Sequence, residues 1–346
     1  MLLFVENTSK IQLWTVLYVQ KMELILYIVI NIFALVMCTK RVAIASKKLM
    51  LLIWASTYLV MVFTVRAQFD YDINTYALSM EYSSLSLYYI KEPVIWLGQR
   101  LLFNITDSSY LTFILTDISA GVILYRALKI FSLPQYSYFS FLTFFPFIMG
   151  FQNIYRQWFA SIIMIYLISL IVQYDNKRLK KYFIFAISIL THNVSAIFLP
   201  FLFLKPKNTL SKIFLLLALI IAVLGVKYGL DTKSSRNTGG NLAFAYLSLF
   251  LVIVIILIII DFFKITLEAR WHYIFIVVGL ILSTTGIIFG GSSAAERISI
   301  YLLMLMYPLL IVKIEERFKN PQIVRMIMTI CGFFPIFVFG TATFIL

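Results

Sequence analysis

The sequence predicts an all-α polytopic membrane protein, and three observations carry that prediction. Of the 346 residues, 62% are hydrophobic and only 13% charged, with a mean hydropathy of +0.95. A soluble chain devotes about a quarter of its residues to charge. Apolar runs of about 17–25 residues, the length a helix needs to cross a bilayer core, recur from end to end. Short clusters of Lys and Arg separate these runs, which is the pattern that records topology.

The runs are long, not ten-residue alternations, which excludes an outer-membrane barrel. The net charge of +14 lies in these inter-segment clusters, so nucleic acid is not an expected partner. No basic n-region with a small-residue cleavage site opens the chain. One integral membrane domain over residues 1–346 is expected. Cys38 and Cys331 both fall in apolar runs and are too few for a disulfide scaffold.

About 12 membrane segments are predicted, near 22–38, 49–65, 109–128, 137–151, 156–173, 182–191, 193–204, 212–228, 242–262, 271–289, 298–312 and 322–345. The first two flank a basic cluster, Lys40, Arg41, Lys47 and Lys48. An outer loop and interfacial helix are expected over about 66–106. Within it, Phe69 to Pro93 is rich in Tyr and Ser and carries Asp70, Asp72, Glu81 and Glu92. Val94 to Ile105 is too short and too amphipathic to span, and is expected to lie at the outer interface. The next segment holds Asp117, an intramembrane acid and so a candidate functional group, with Arg100 or Arg126 as a plain structural partner.

Segments 182–191 and 193–204 are short. Read as a hairpin with its tip at Thr191 to Asn193, they return Lys313 to Lys319 to the same side as Lys177 to Lys181. That arrangement puts 19 of the 29 basic residues on the cytoplasmic side, as the positive-inside rule asks.

This threading brings three groups to the outer face. Arg156 opens one descending helix, His192 tips the hairpin ahead of the next, and Arg297 opens a third. A cation at a helix N-terminus opposes the local dipole unless an anion is there to collect both fields. A single Arg near a helix end is commonly a snorkelling anchor, and Glu296 beside Arg297 offers it an internal partner. His272, in "RWHYIF", fits an interfacial Trp/Tyr belt.

These residues also carry a resemblance. "YRQWFA" (Tyr155 to Ala160) and "LTHNVSAIFLP" (Leu190 to Pro200) resemble the Arg-Gln-x-x-Ala and His-x-x-Ser-Ala pattern of EpsG-like and Wzy-type polysaccharide polymerases. "DINTY" (Asp72 to Tyr76) with Glu92-Pro93, and "ERISIYL" (Glu296 to Leu302), are similar to that family's first outer loop and late Arg motif. The likeness spans about residues 50–312; the family's Gly-Thr-Asp is replaced by Asp70-Tyr71-Asp72.

The resemblance implies a GT-C-like fold in the bacterial inner membrane, with the active site facing outward. It implies an enzyme that joins oligosaccharide repeat units carried on undecaprenyl pyrophosphate, by moving the growing chain onto the next lipid-linked unit. Arg156, Arg297 and Gln157 would bind the pyrophosphate, and His192 or Asp72 would act on the acceptor hydroxyl. Tyr76, Glu92 and Asp70 would meet sugars. No metal or other cofactor is expected. The partners expected are the lipid-linked oligosaccharides, membrane lipid, a chain-length regulator and a flippase.

Two other classes compete. A lipid-linked oligosaccharide flippase would also use outer cations, but should line a mid-membrane cavity with charge. The other is a different envelope transferase, either an O-antigen ligase or a membrane acyltransferase; a ligase would carry its largest outer loop between late helices, whereas the longest outer loop here comes early.

Overall fold

The computed structural model describes residues 22–39, 44, 46–67, 69, 71–81, 90–174, 178–206, 208–229, 243–262 and 270–339. No strand occurs among them. The described residues begin with α1 (Met22–Met37), followed by α2 (Lys47–Arg66), α3 (Tyr71–Glu81), α4 (Pro93–Thr106) and α5 (Ser109–Ile130). Then come α6 (Gln135–Leu142), α7 (Phe145–Asn153), α8 (Tyr155–Gln173) and α9 (Arg178–Thr191). A 3-10 helix over Asn193–Phe203 leads to α10 (Thr209–Gly229), α11 (Ala243–Phe262), α12 (Arg270–Arg317), α13 (Gln322–Phe333) and α14 (Pro335–Phe339).

Among the described residues, six stretches are long and apolar enough to cross a membrane: α2, α5, α8, most of α10, and the two halves of α12. Large apolar side chains on α1, α2, α10 and α11 stay exposed, including Ile25, Leu52, Ile221 and Ile255. A soluble protein would bury such a belt; lipid is its natural solvent. The polytopic α-helical membrane architecture stands.

Helix α8 forms the centre, buried on nearly every side, with Trp158 fully enclosed against Phe147, Phe151 and Tyr155. Where lipid competes with side chains for apolar contact, close packing and internal hydrogen bonds hold helices together. Ser46 and Ser108 cap α2 and α5 by accepting from Leu49 N and Leu111 N, each at 3.3 Å.

Several expected segments differ in form. The stretch 137–151 is two short helices, because Pro146 supplies no N–H and α7 must begin afresh at Phe145. The stretch expected as an outer loop from Phe69 contains helix α3, whose Ile73, Tyr76, Ala77 and Met80 bury one face at helical spacing. The last segment breaks into α13 and α14. Residues 1–21, 82–89 and 340–346, and with them Tyr82, Tyr88 and Tyr89, lie outside the described residues.

The expected segments 271–289 and 298–312 form one continuous helical run, α12, that folds back on itself. A straight helix of 48 residues would extend about 72 Å. Instead, a Cβ on Gly279 would stand 3.4 Å from Leu302, and one on Gly286 would stand 2.8 Å from Ile298. At Gly286 that is closer than a Cβ could stand without moving the Ile298 side chain, whereas at Gly279 it is an ordinary contact; both place the two limbs side by side.

The short hairpin is present. Lys205, just past the 3-10 helix, donates to the carbonyl of Val172 near the end of α8, so the hairpin legs end where α8 ends. Its tip, His192, therefore lies where α8 begins. The second leg is 3-10 over 11 residues, unusually long for that form, and its rise of about 2 Å per residue carries it further than an α-helix of equal length.

Candidate functional site

Helix α8 has no side-chain cap, and its first turn presents Arg156. Arg156 is 18% exposed. Its Nε donates to Tyr76 Oη at 2.7 Å, and its Nη1 donates to Glu92 Oε2. The guanidinium also lies over the rings of Trp96 and Tyr76, at 5.2 and 5.6 Å from their centroids. Helices α3, α4 and α8 thus meet on one cation.

Glu92 stands at the N-cap of α4, ahead of Pro93, and does not cap the helix with its side chain. It turns inward instead and is 1% exposed. Oε1 lies 2.7 Å from His192 Nδ1 and accepts from the backbone N–H of Asn193 at 3.2 Å. Burial raises the carboxyl's pKa, but the hydrogen bond and charge of His192, the Arg156 guanidinium and the Asn193 N–H outweigh it and hold the value at about 2.

Burial lowers the pKa of His192 below its ordinary value; Glu92 works against this, and the charges of Arg156 and Arg297 add to it. A neutral imidazole that donates from Nδ1 to a carboxylate leaves Nε2 as an acceptor. Among the described residues Nε2 has no protein partner.

Arg297 comes from the returning limb of α12. Gln157 Nε2 donates to its backbone carbonyl, which ties that limb to the first turn of α8. The Arg297 guanidinium has no ion pair or hydrogen bond among the described residues, but its charge acts on the carboxyl of the adjacent Glu296. Arg297 lies near the start of the returning limb, whose membrane-length stretch begins at Ala294.

Arg156, Gln157, Glu92, His192, Tyr76 and Arg297 therefore meet at one end of the bundle. Asp70 lies outside the described residues, and Asp72 is on α3 with its side chain outside them. Tyr76 is 3% exposed and packs on Trp96 at 4.9 Å.

Asp117 has a different partner from the two expected. Arg66, at the end of α2, places Nε 2.7 Å from Asp117 Oδ2 with both groups buried, and Tyr155 donates to Oδ1 at 2.7 Å. Arg100 and Arg126 lie nearer to Asp117 in sequence; Arg66 is 51 positions away, just past the predicted segment 49–65. The pair sits behind the first turn of α8, since Tyr155 precedes Arg156. Helix α4 was legible as amphipathic, but Trp96 as a wall of the site was not.

Among the described residues no cluster of His, Cys, Asp and Glu has the makings of a metal site. The EpsG family model matches residues 49–345, about 86% of the chain. The chain belongs to the EpsG family. That makes it a polysaccharide-polymerase-like membrane protein of glycosyltransferase type. The EpsG match takes in all six of the converging residues. Comparisons with characterised proteins and with solved structures return no significant match.

Proposed function

We propose that this EpsG-family protein polymerises oligosaccharide repeat units carried on undecaprenyl pyrophosphate, at the outer face of a bacterial inner membrane. The observation that supports the reading best is the Arg297 guanidinium, which has no direct ion pair or hydrogen bond among the described residues, beside the chain Arg156–Glu92–His192. Two guanidiniums, one of them without a direct contact of that kind, suit a pyrophosphate leaving group, which binds bidentately to such forks.

In this reading His192 Nε2 takes the proton of a sugar hydroxyl on the incoming unit. The freed oxygen attacks the anomeric carbon of the growing chain. The bond from that carbon to the pyrophosphate oxygen breaks, and the lipid pyrophosphate leaves with the electron pair. Arg156 and Arg297 stabilise the charge that develops. Glu92 holds the imidazole in the tautomer that leaves Nε2 free, a job different from the sugar contact its sequence position suggested. Gln157 holds the limb that carries Arg297.

The segment before Glu92, with Asp70 and Asp72, would meet the sugars. A chain-length regulator and a flippase would work beside it, and no metal or other cofactor would be needed. Transport is the weaker reading: the buried Arg66–Asp117 pair is satisfied within the protein and offers no charge to a passing substrate.

Purified protein incubated with lipid-linked repeat units should yield a ladder of products. A flippase would give none, and a ligase would need a separate acceptor. Absence of a ladder from folded protein supplied with its own host's lipid-linked units would overturn the reading.

A further inference from the structure

Four buried groups lie beneath the site. Ser188 Oγ donates to the carbonyl of Ala160 at 3.2 Å and lies 2.9 Å from Ser195 Oγ. The Tyr301 hydroxyl lies 2.8 Å from Ser195 Oγ and 3.3 Å from Ser188 Oγ. Ser188, Ser195 and Tyr301 are all fully buried.

The placement of these groups is what matters. Ala160 is one helical turn beyond Arg156. Ser188 is one turn before His192, whose N–H donates to the Ser188 carbonyl at 3.0 Å, and the Ser195 N–H donates back to the His192 carbonyl at 2.9 Å. Tyr301 is one turn beyond Arg297. The three elements that carry the three basic groups are therefore tied together one turn below them, on hydroxyls.

We propose that Tyr301 is a positioning residue, whose hydroxyl sets the spacing of Arg297 from His192 and Arg156 through Ser195 and Ser188. The inference rests on the polymerase reading for its kinetic consequence but not for its geometric one. A hydroxyl network in a water-poor interior is directional, whereas apolar packing around it is not. Loss of one hydroxyl should let the returning limb of α12 slide on α9 without unfolding the bundle.

The same helix supplies a control. Tyr307 is fully buried, stacks on Phe144 at 4.1 Å, and donates to Ser140 Oγ at 3.1 Å. Tyr301 stacks on Phe198 at 4.4 Å. The two tyrosines share a helix and a setting, but Tyr307 lies about 15 Å from Arg297 along that helix.

Tyr301→Phe and Tyr307→Phe should lower the thermal midpoint by similar small amounts. Only Tyr301→Phe should slow ladder formation, by about tenfold in kcat with KM little changed, as expected when a site is displaced but not emptied. Ser195→Thr, which keeps a hydroxyl, should retain more activity than Ser195→Ala.

A second readout does not need turnover. The chain has two histidines, so selective ¹⁵N-histidine labelling resolves His192. Its charged neighbours are Glu92, Arg156 and Arg297, and withdrawal of Arg297 should raise its titration midpoint in Tyr301→Phe but not in Tyr307→Phe. An unchanged His192 titration, or equal kinetic losses in the two variants, would overturn the positioning role. An altered titration in a protein that makes no ladder would uphold the geometry and reject the polymerase reading.

Discussion

Oε1 of Glu92 lies 2.7 Å from Nδ1 of His192, and Oε2 of the same carboxylate accepts from Arg156. One buried acid thus joins the tip of a hairpin to the first turn of the central helix, across 100 residues in one direction and 64 in the other. The pairing fixes the imidazole's orientation and also holds the cation.

Glu92→Gln removes the charge that props up the His192 pKa, so that pKa should fall further. If neutral His192 is the base, activity rises as pH climbs through its pKa, and the acid limb should move to lower pH in the variant. The plateau should also drop by about 10²-fold, because an amide holds the tautomer less firmly. A pH–rate profile of ladder formation checks both. The sign for stability is separate: Glu92's pKa is depressed to about 2 from an ordinary 4.5. Its stabilising contribution is therefore complete above pH 4.5 and lost as pH falls toward 2.

Arg156→Lys keeps the charge but not the planar fork, and a lysine cannot reach Tyr76 and Glu92 with two separate nitrogens. Polymerisation should fall by about 10²-fold or more, the loss expected when a transition-state donor is removed. The rate of ladder formation at equal amounts of folded protein is the measurement. Near-normal rates would make Arg156 an interface anchor.

Breaking the Arg66–Asp117 pair should damage the fold more than the chemistry. Arg66→Met or Asp117→Leu alone leaves a buried charge uncompensated, at a cost of about 3–5 kcal/mol. The double variant should recover much of that loss, because no lone charge remains. Thermal unfolding in detergent reads all three, and equal stability of single and double variants would refute the account.

The hairpin has a topological consequence. With Cys38 and Cys331 replaced, a cysteine introduced near Arg297 should react with an impermeant reagent from outside. One introduced near Lys313 should react only after the membrane is opened. Outside labelling near Lys313 would reject the proposed orientation.

Much of the bundle was legible because its cause is local. A bilayer demands runs of a certain length, and α2, α5, α8 and α10 answer to that demand directly. The hairpin at His192 followed from charge counting alone. Arg156, His192 and Arg297 stand out as basic side chains beside apolar runs. The helix α3 was also present in the spacing of Ile73, Tyr76, Ala77 and Met80, but the polar Tyr/Ser composition around it concealed the period.

What the sequence determined by itself, then, was the class of protein, most of its segments and the basic residues worth watching. Hydropathy and charge are sums over neighbours in the chain, and they survive without coordinates. Tertiary structure alone decided the partners. Nothing near Asp117 in sequence points to Arg66, nothing near His192 points to Glu92, and nothing near Ser188 points to Tyr301. Each of those hydrogen bonds joins groups on different helices, and its geometry exists only after the helices have packed. The fold-back of α12 belongs to the same class, since Gly286 is crowded only once a second limb passes within van der Waals reach.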